Sequence, residues 1–111
     1  MTRVDGRPIA AAGLWTSWRD ESHGPDAPWL HSCCLVTTDA NATMAPVHDR
    51  MPVVLEESDW AEWLDADGAD RARLAALMVP ADPSVLRVVD VSTLVNSVRN
   101  DSAELIEPVV R

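Results

Sequence analysis

With 111 residues the chain has room for one domain at most. Its 47% apolar and 24% charged residues are the balance of an ordinary globular protein, and no apolar run approaches the ~20 residues of a membrane span. Eighteen acidic against nine basic side chains, a net charge of −9, exclude a general nucleic-acid coat, because such a chain repels phosphate at long range. A single arginine still acts locally, within a Debye length of about 8 Å. Met1 to Asp5 carries no apolar core of the signal-peptide kind, so a cytoplasmic location is expected.

In chain order, the turn signal Asp5-Gly6-Arg7-Pro8 precedes an expected strand from Ile9 to Trp15. Arg19 to Pro28 is polar and turn-rich and reads as a surface loop. Cys33 to Thr38 reads as a second strand. Its adjacent cysteines point to opposite faces, so a bridge between them is strained, and buried, reduced thiols are expected. Asp39 to Arg50 reads mostly as loop, and Met51 to Leu55 as a third strand, with Pro52 suited to an edge or a strand start. A helix follows, capped by Ser58, with Trp60, Trp63 and Leu64 on one face. A second, from about Ala69 to Val79, turns Leu74, Leu77 and Met78 inward and stops at Pro80. Leu86 to Val91 reads as a fourth strand, and Asn100, Asp101 or Ser102 as the cap of a last short helix through Ala103, Leu105 and Ile106. The fold class is α+β with strands predominating: a mixed or antiparallel sheet, or a partial β-barrel, with a few short helices.

Three stretches carry a resemblance: Ala12-Gly13-Leu14-Trp15; Thr37-Thr38-Asp39-Ala40-Asn41 leading to His48-Asp49-Arg50-Met51-Pro52; and Val91-Ser92-Thr93 with Val95 to Asp101. In this order and spacing the chain resembles the SOS response-associated peptidase domain, the abasic-site-processing proteins. The resemblance covers nearly all of residues 1–111, but only the C-terminal half of the family's domain. It implies abasic-site processing in single-stranded DNA within the SOS or DNA-damage response. In that chemistry the amine and thiol of an amino-terminal cysteine condense with the ring-opened sugar to give a DNA–protein crosslink. It also implies that His48 completes the catalytic site, that Arg50 contacts a DNA phosphate, and that Thr38 flanks the pocket. The family's cysteine, asparagine and glutamate have no counterparts here, so the chain is expected to be inactive alone. No cofactor is implied.

Each of these residues also has a structural reading. A histidine titrates near pH 6.5 when unperturbed, which suits proton transfer near neutrality. The alternative for His48 is a surface ring held by Asp49, and the surrounding pentapeptide favours the catalytic role. Arg50 offers a planar fork for phosphate or forms a surface ion pair with Asp49 or Glu57, and both readings stay open. So do sugar or phosphate contact and structural use for Thr38. Asn41 reads as a local cap, and Asn96 and Asn100 as partners of backbone groups before the last helix. Trp15, Trp60 and Trp63 read as core; Trp18 and Trp29, beside polar loops, are less favoured as base-stacking platforms. His23, His31 and Cys33 match no zinc spacing, and no metal site is expected. A Met-Thr start makes Thr2 a remote candidate nucleophile. Three functions compete: a member of that catalytic family whose gene is truncated or split or whose start codon is misassigned, a non-catalytic fragment that binds single-stranded DNA or a complementary half, and an unrelated acidic interaction protein. Removal of a half-domain also predicts uncovered strand edges and self-association or complementation.

Overall fold

A computed structural model describes residues 1–109. Among them, six short strands form three separate antiparallel ribbons: β1 (Thr2–Arg3) with β6 (Leu86–Arg87), β2 (Gly13–Trp18) with β3 (Leu30–Leu35), and β4 (Thr37–Asp39) with β5 (Arg50–Pro52). Helices α1 (Glu57–Leu64) and α2 (Arg71–Leu77) follow β5, and single 3-10 turns close the chain. The expected α+β class holds. No helix among the described residues is long and apolar enough to cross a membrane.

The β2–β3 and β4–β5 ribbons meet at one junction. Ala12 N–H donates to Val53 O at 2.8 Å, Val53 N–H to Val36 O at 2.9 Å, and Val36 N–H to Ala12 O at 2.9 Å. This closed ring of three backbone hydrogen bonds ties three segments far apart in sequence. It also explains why the expected strand from Cys33 to Thr38 is broken in two. Val36 bonds to two different neighbours, so the chain leaves the β2 partnership there and enters β4. Likewise the expected first strand is displaced: Ala10 and Ala12 bond to the segment around Val53, Ala11 bridges Val54, and the regular strand runs from Gly13 to Trp18.

Residues 51–55 separate two small cores. Met51 and Val54 pack with Met44 and Leu86; Val53 and Leu55 pack with Ala12, Val36 and Trp63. A continuous apolar run suits a segment covered on both sides. The fourth expected strand shortens to Leu86–Arg87, which pairs with β1, and Val91 survives only as a bridge to Pro108. Between β1 and β2, Gly6 at φ +74° makes the tight turn that the Asp-Gly-Arg-Pro sequence signals.

Helix α1 is not capped by Ser58, which lies inside it. Glu56 occupies the cap position without a side-chain cap bond, because its carboxylate is held by Arg3, whose Nη1 and Nη2 donate to Oε1 and Oε2 at 3.2 Å each. In α2, Asp70 caps by accepting from Ala72 N–H at 2.8 Å, and Arg73 ties the helix to α1 through Glu62 at 2.8 Å. Leu74 and Leu77 are half-buried as expected, whereas Met78, beyond the helix, is exposed. The tryptophans depart further from expectation. Trp15 is 75% exposed and Trp60 is also exposed, while Trp63 is half-buried and donates from Nε1 to Gly13 O at 3.1 Å. Cys33 and Cys34, expected to be buried, are both exposed on β3, because among the described residues no third strand pairs with that ribbon.

Candidate functional site

The turns between β4 and β5 are built from one asparagine. Asn41 is buried; its Oδ1 accepts from Thr43 N–H at 3.1 Å and Met44 N–H at 3.0 Å, and its Nδ2 donates to Ala81 O at 2.8 Å. The cap role read from the sequence is correct, and the side chain reaches further than a local cap by pinning the loop to the segment before β6. Successive turns then carry the chain to His48, whose N–H donates to Met44 O at 3.0 Å.

His48 projects from this turn with its side chain 65% exposed. Its Nδ1 has two partners of opposite character: Arg50 N–H at 2.9 Å, a donor, and Asp49 Oδ1 at 3.0 Å, an acceptor. With the proton on Nε2, Nδ1 accepts from the Arg50 amide. With the proton on Nδ1, Asp49 Oδ1 stands at ion-pair distance, the Arg50 amide loses its acceptor, and Nε2 carries the lone pair. Nε2 is thus the donor in one tautomer and the acceptor in the other.

Arg50 opens β5 directly across from Asp39. Its Nη1 donates to Asp39 Oδ1 at 3.1 Å, and its Nη2 to Thr37 O at 2.8 Å and Thr37 Oγ1 at 2.9 Å. The ion pair is with Asp39, not with Asp49 or Glu57; Glu57 is taken by Arg7 at 2.8 Å. A guanidinium has five N–H donors, so this arrangement fixes the fork in place and leaves Nε–H and one Nη1 hydrogen for a further acceptor. The threonine beside Arg50 is Thr37. Thr38 pairs across from Met51, which lies in the core, so its half-buried side chain takes the opposite face of the ribbon. His48 and Arg50 thus lie together at one ribbon end, and Thr38 does not join them. Thr37 was legible only through register: it shares the face of Arg50 once Asp39 and Arg50 are opposed.

Elsewhere, Arg19 stacks over Trp29, its guanidinium carbon 5.0 Å from the ring centre, at the far end of the β2–β3 ribbon. Asn100 donates to Leu94 O at 2.8 Å, a backbone role as expected. Arg3 is buried between Asp5 and Glu56, and its hydrogen bonds to both raise its pKa above the ordinary arginine value.

Comparison with known proteins places this geometry in context. The family model described as SOS response associated peptidase matches residues 1–98. The abasic site processing protein YoqW of Bacillus subtilis is 40% identical over 99 residues, covering 89% of this chain and 42% of that protein. YedK of Escherichia coli, also named an abasic site processing protein, is 33% identical over 110 residues, covering 96% of this chain and 46% of its own length. HMCES of Gallus gallus, named likewise, is 32% identical over 104 residues, 93% of this chain and 30% of that one. A crystal structure of a Bacteroides thetaiotaomicron protein superposes with a TM-score of 0.81 at 20% identity, covering 97% of this chain and 46% of that chain, a likeness of fold. The chain spans less than half the length of each of these relatives.

Proposed function

The chain belongs to the SOS response associated peptidase family, and from that membership we propose that it acts on abasic sites in single-stranded DNA, with Arg50 holding a phosphate and His48 moving a proton at the sugar. The reading is carried by the two-partner arrangement at His48 Nδ1, with Arg50 N–H at 2.9 Å and Asp49 Oδ1 at 3.0 Å. A ring-opened abasic sugar presents an aldehyde and hydroxyls beside a phosphate. Reaction at that aldehyde needs a group that gives and takes a proton without leaving its place. His48 does so at Nε2, with the Arg50 amide on Nδ1 in one tautomer and Asp49 Oδ1 at ion-pair distance in the other. Arg50 is held by Asp39 and Thr37 with donors to spare for a phosphate oxygen. The support from relatives is the shared name, abasic site processing protein.

In this reading the chain supplies the proton-transfer and phosphate-holding part of the site, and the nucleophile comes from elsewhere. Cys33 and Cys34 lie within β3 and offer no free α-amine. A non-catalytic role in holding DNA is the alternative that these internal cysteines favour. Titrating labelled single-stranded oligonucleotides, with and without one abasic site, tests the assignment by fluorescence anisotropy. Arg50→Ala should weaken both strands by roughly tenfold, as expected for one charge-assisted contact. It should also reduce the slope of log affinity against log salt by about 0.7. His48→Ala should erase the preference for the abasic strand and leave the intact strand unaffected. Affinity insensitive to Arg50→Ala refutes the phosphate role.

A further inference from the structure

The chain exposes 8627 Å², whereas a compact monomer of 12.1 kDa exposes about 6,000 Å². Its radius of gyration is 18.2 Å, against about 13 Å for a compact 111-residue domain. Exposed large apolar side chains gather in the β2–β3 ribbon and in the closing segment around Val98 and Ile106, with others at Val4, Val47, Leu64 and Val79.

The ribbon is the informative part. Its six paired positions from Gly13↔Leu35 to Trp18↔Leu30 carry no Asp, Glu or Arg, in a chain that is 24% charged. On one face lie Leu14, Cys34, Trp18 and Leu30; on the other, Trp15, Cys33 and Leu35. Nearly all are exposed, and no third strand among the described residues pairs with either outer edge. An isolated two-stranded ribbon is marginal in water, and strand edges meant for solvent are blunted with charges. Apolar residues on both faces belong to strands covered on both sides.

From this we propose that the β2–β3 ribbon is an interface, covered on its faces and extended at its edges by a polypeptide that supplies the part of the family domain this chain does not match. The two exposed faces decide between that occupant and a second copy. The surplus of roughly 2,600 Å² belongs to the whole chain, the closing segment included, and exceeds the about 800 Å² that a standard interface takes from each partner. A two-fold pair through one self-complementary patch covers a single face and leaves the other bare. A second copy also brings a further −9 charges. The relatives are more than twice as long as the matched region, which is 42% of YoqW and 46% of YedK, so the family has the chain to do the covering. The inference rests on family membership and exposed surface, not on the chemistry assigned to His48 and Arg50.

Co-expression of the full 111-residue chain with the part of the Bacillus subtilis relative that it does not match tests the proposal. The expected result is a 1:1 complex by sedimentation, with backbone amides of Gly13–Trp18 and Leu30–Leu35 exchanging at least ~100-fold more slowly than in the free chain. Trp15→Glu and Leu35→Glu should each abolish the complex, whereas Val98→Glu, at an exposed site off the ribbon, should not. Two results overturn it. One is absence of a complex at about 100 µM, since interfaces of this size bind at µM or tighter. The other is a symmetric dimer of the chain through the ribbon. DNA binding is read separately, so loss of the Arg50 effect leaves this inference standing.

Discussion

Replacing Asn41 by alanine tests whether the loop bearing His48 is held from within. Three side-chain hydrogen bonds disappear: those from Thr43 N–H, from Met44 N–H and to Ala81 O. Met44 N–H keeps the Asn41 backbone carbonyl at 3.1 Å, so two groups lose their partner outright, Thr43 N–H and Ala81 O. A buried polar group left unpaired costs about 1–3 kcal/mol. Both residues are half-buried, so water reaches them in part, and the lower half of that range applies to each. The expected loss is about 2–4 kcal/mol, large against the 5–15 kcal/mol of a typical domain. Urea denaturation should show a lower midpoint with an unchanged slope, since little exposed surface changes. Asn41→Asp keeps both acceptor contacts but sets a buried carboxylate oxygen against Ala81 O, acceptor facing acceptor, so it should not restore the stability at neutral pH. Hydrogen exchange at the Ala45 and His48 amides, which bond to Asn41 O and Met44 O, should quicken in the alanine variant. A change in stability within about 0.5 kcal/mol, the scatter of ordinary surface substitutions, refutes the argument.

Acid should weaken the fold through Asp5. Hydrogen bonds from Arg3 and from the Arg7 backbone hold its carboxyl well below the usual carboxylate range, so its contribution is complete above the unfolded value of about 3.9 and is lost as pH falls through the depressed folded value. Asp20, Glu62 and Asp82 are shifted the same way, so thermal midpoints should fall below about pH 4, and Asp5→Asn should shallow that fall; a midpoint flat to pH 3 contradicts it. Cys33 and Cys34, exposed on β3, should both alkylate quickly in the folded chain. The same chain incubated with an abasic oligonucleotide should give no heat-stable band on a denaturing gel, and such a band would show that an internal thiol suffices.

Local chemistry was legible in the sequence where it acts locally. The Gly6 turn, the end of α2 before Pro80 and the cap at Asn41 each depend on a few neighbouring residues, and each was readable. Strand limits were not, because they are set by the ring of bonds joining Ala12, Val36 and Val53, residues 17 to 41 positions apart. A period-two pattern cannot show that Val36 serves two neighbours. Burial of the tryptophans and cysteines was misjudged for another reason. On the inference drawn above, the sequence of the β2–β3 ribbon specifies covered faces, and no cover for them lies among the described residues. An apolar pattern reports the surface a strand is built to hide, whichever polypeptide hides it.

The site followed the same division. The pentapeptide from His48 to Pro52 singled out the candidate pair, because both side chains belong to one short segment. Their partners came from register. Opposing Asp39 to Arg50 puts Thr37 within reach of the guanidinium and turns Thr38 toward the side of Met51. A one-residue slip would exchange the two threonines and release Arg50 from Asp39. That register is held by the bonds around Val53 and by the Met51 core, so the orientation of Arg50 depends on packing on the far side of the ribbon. His48 is less exposed to that dependence. Its two alternative partners, Asp49 and the Arg50 amide, are its immediate sequence neighbours, and they travel with it.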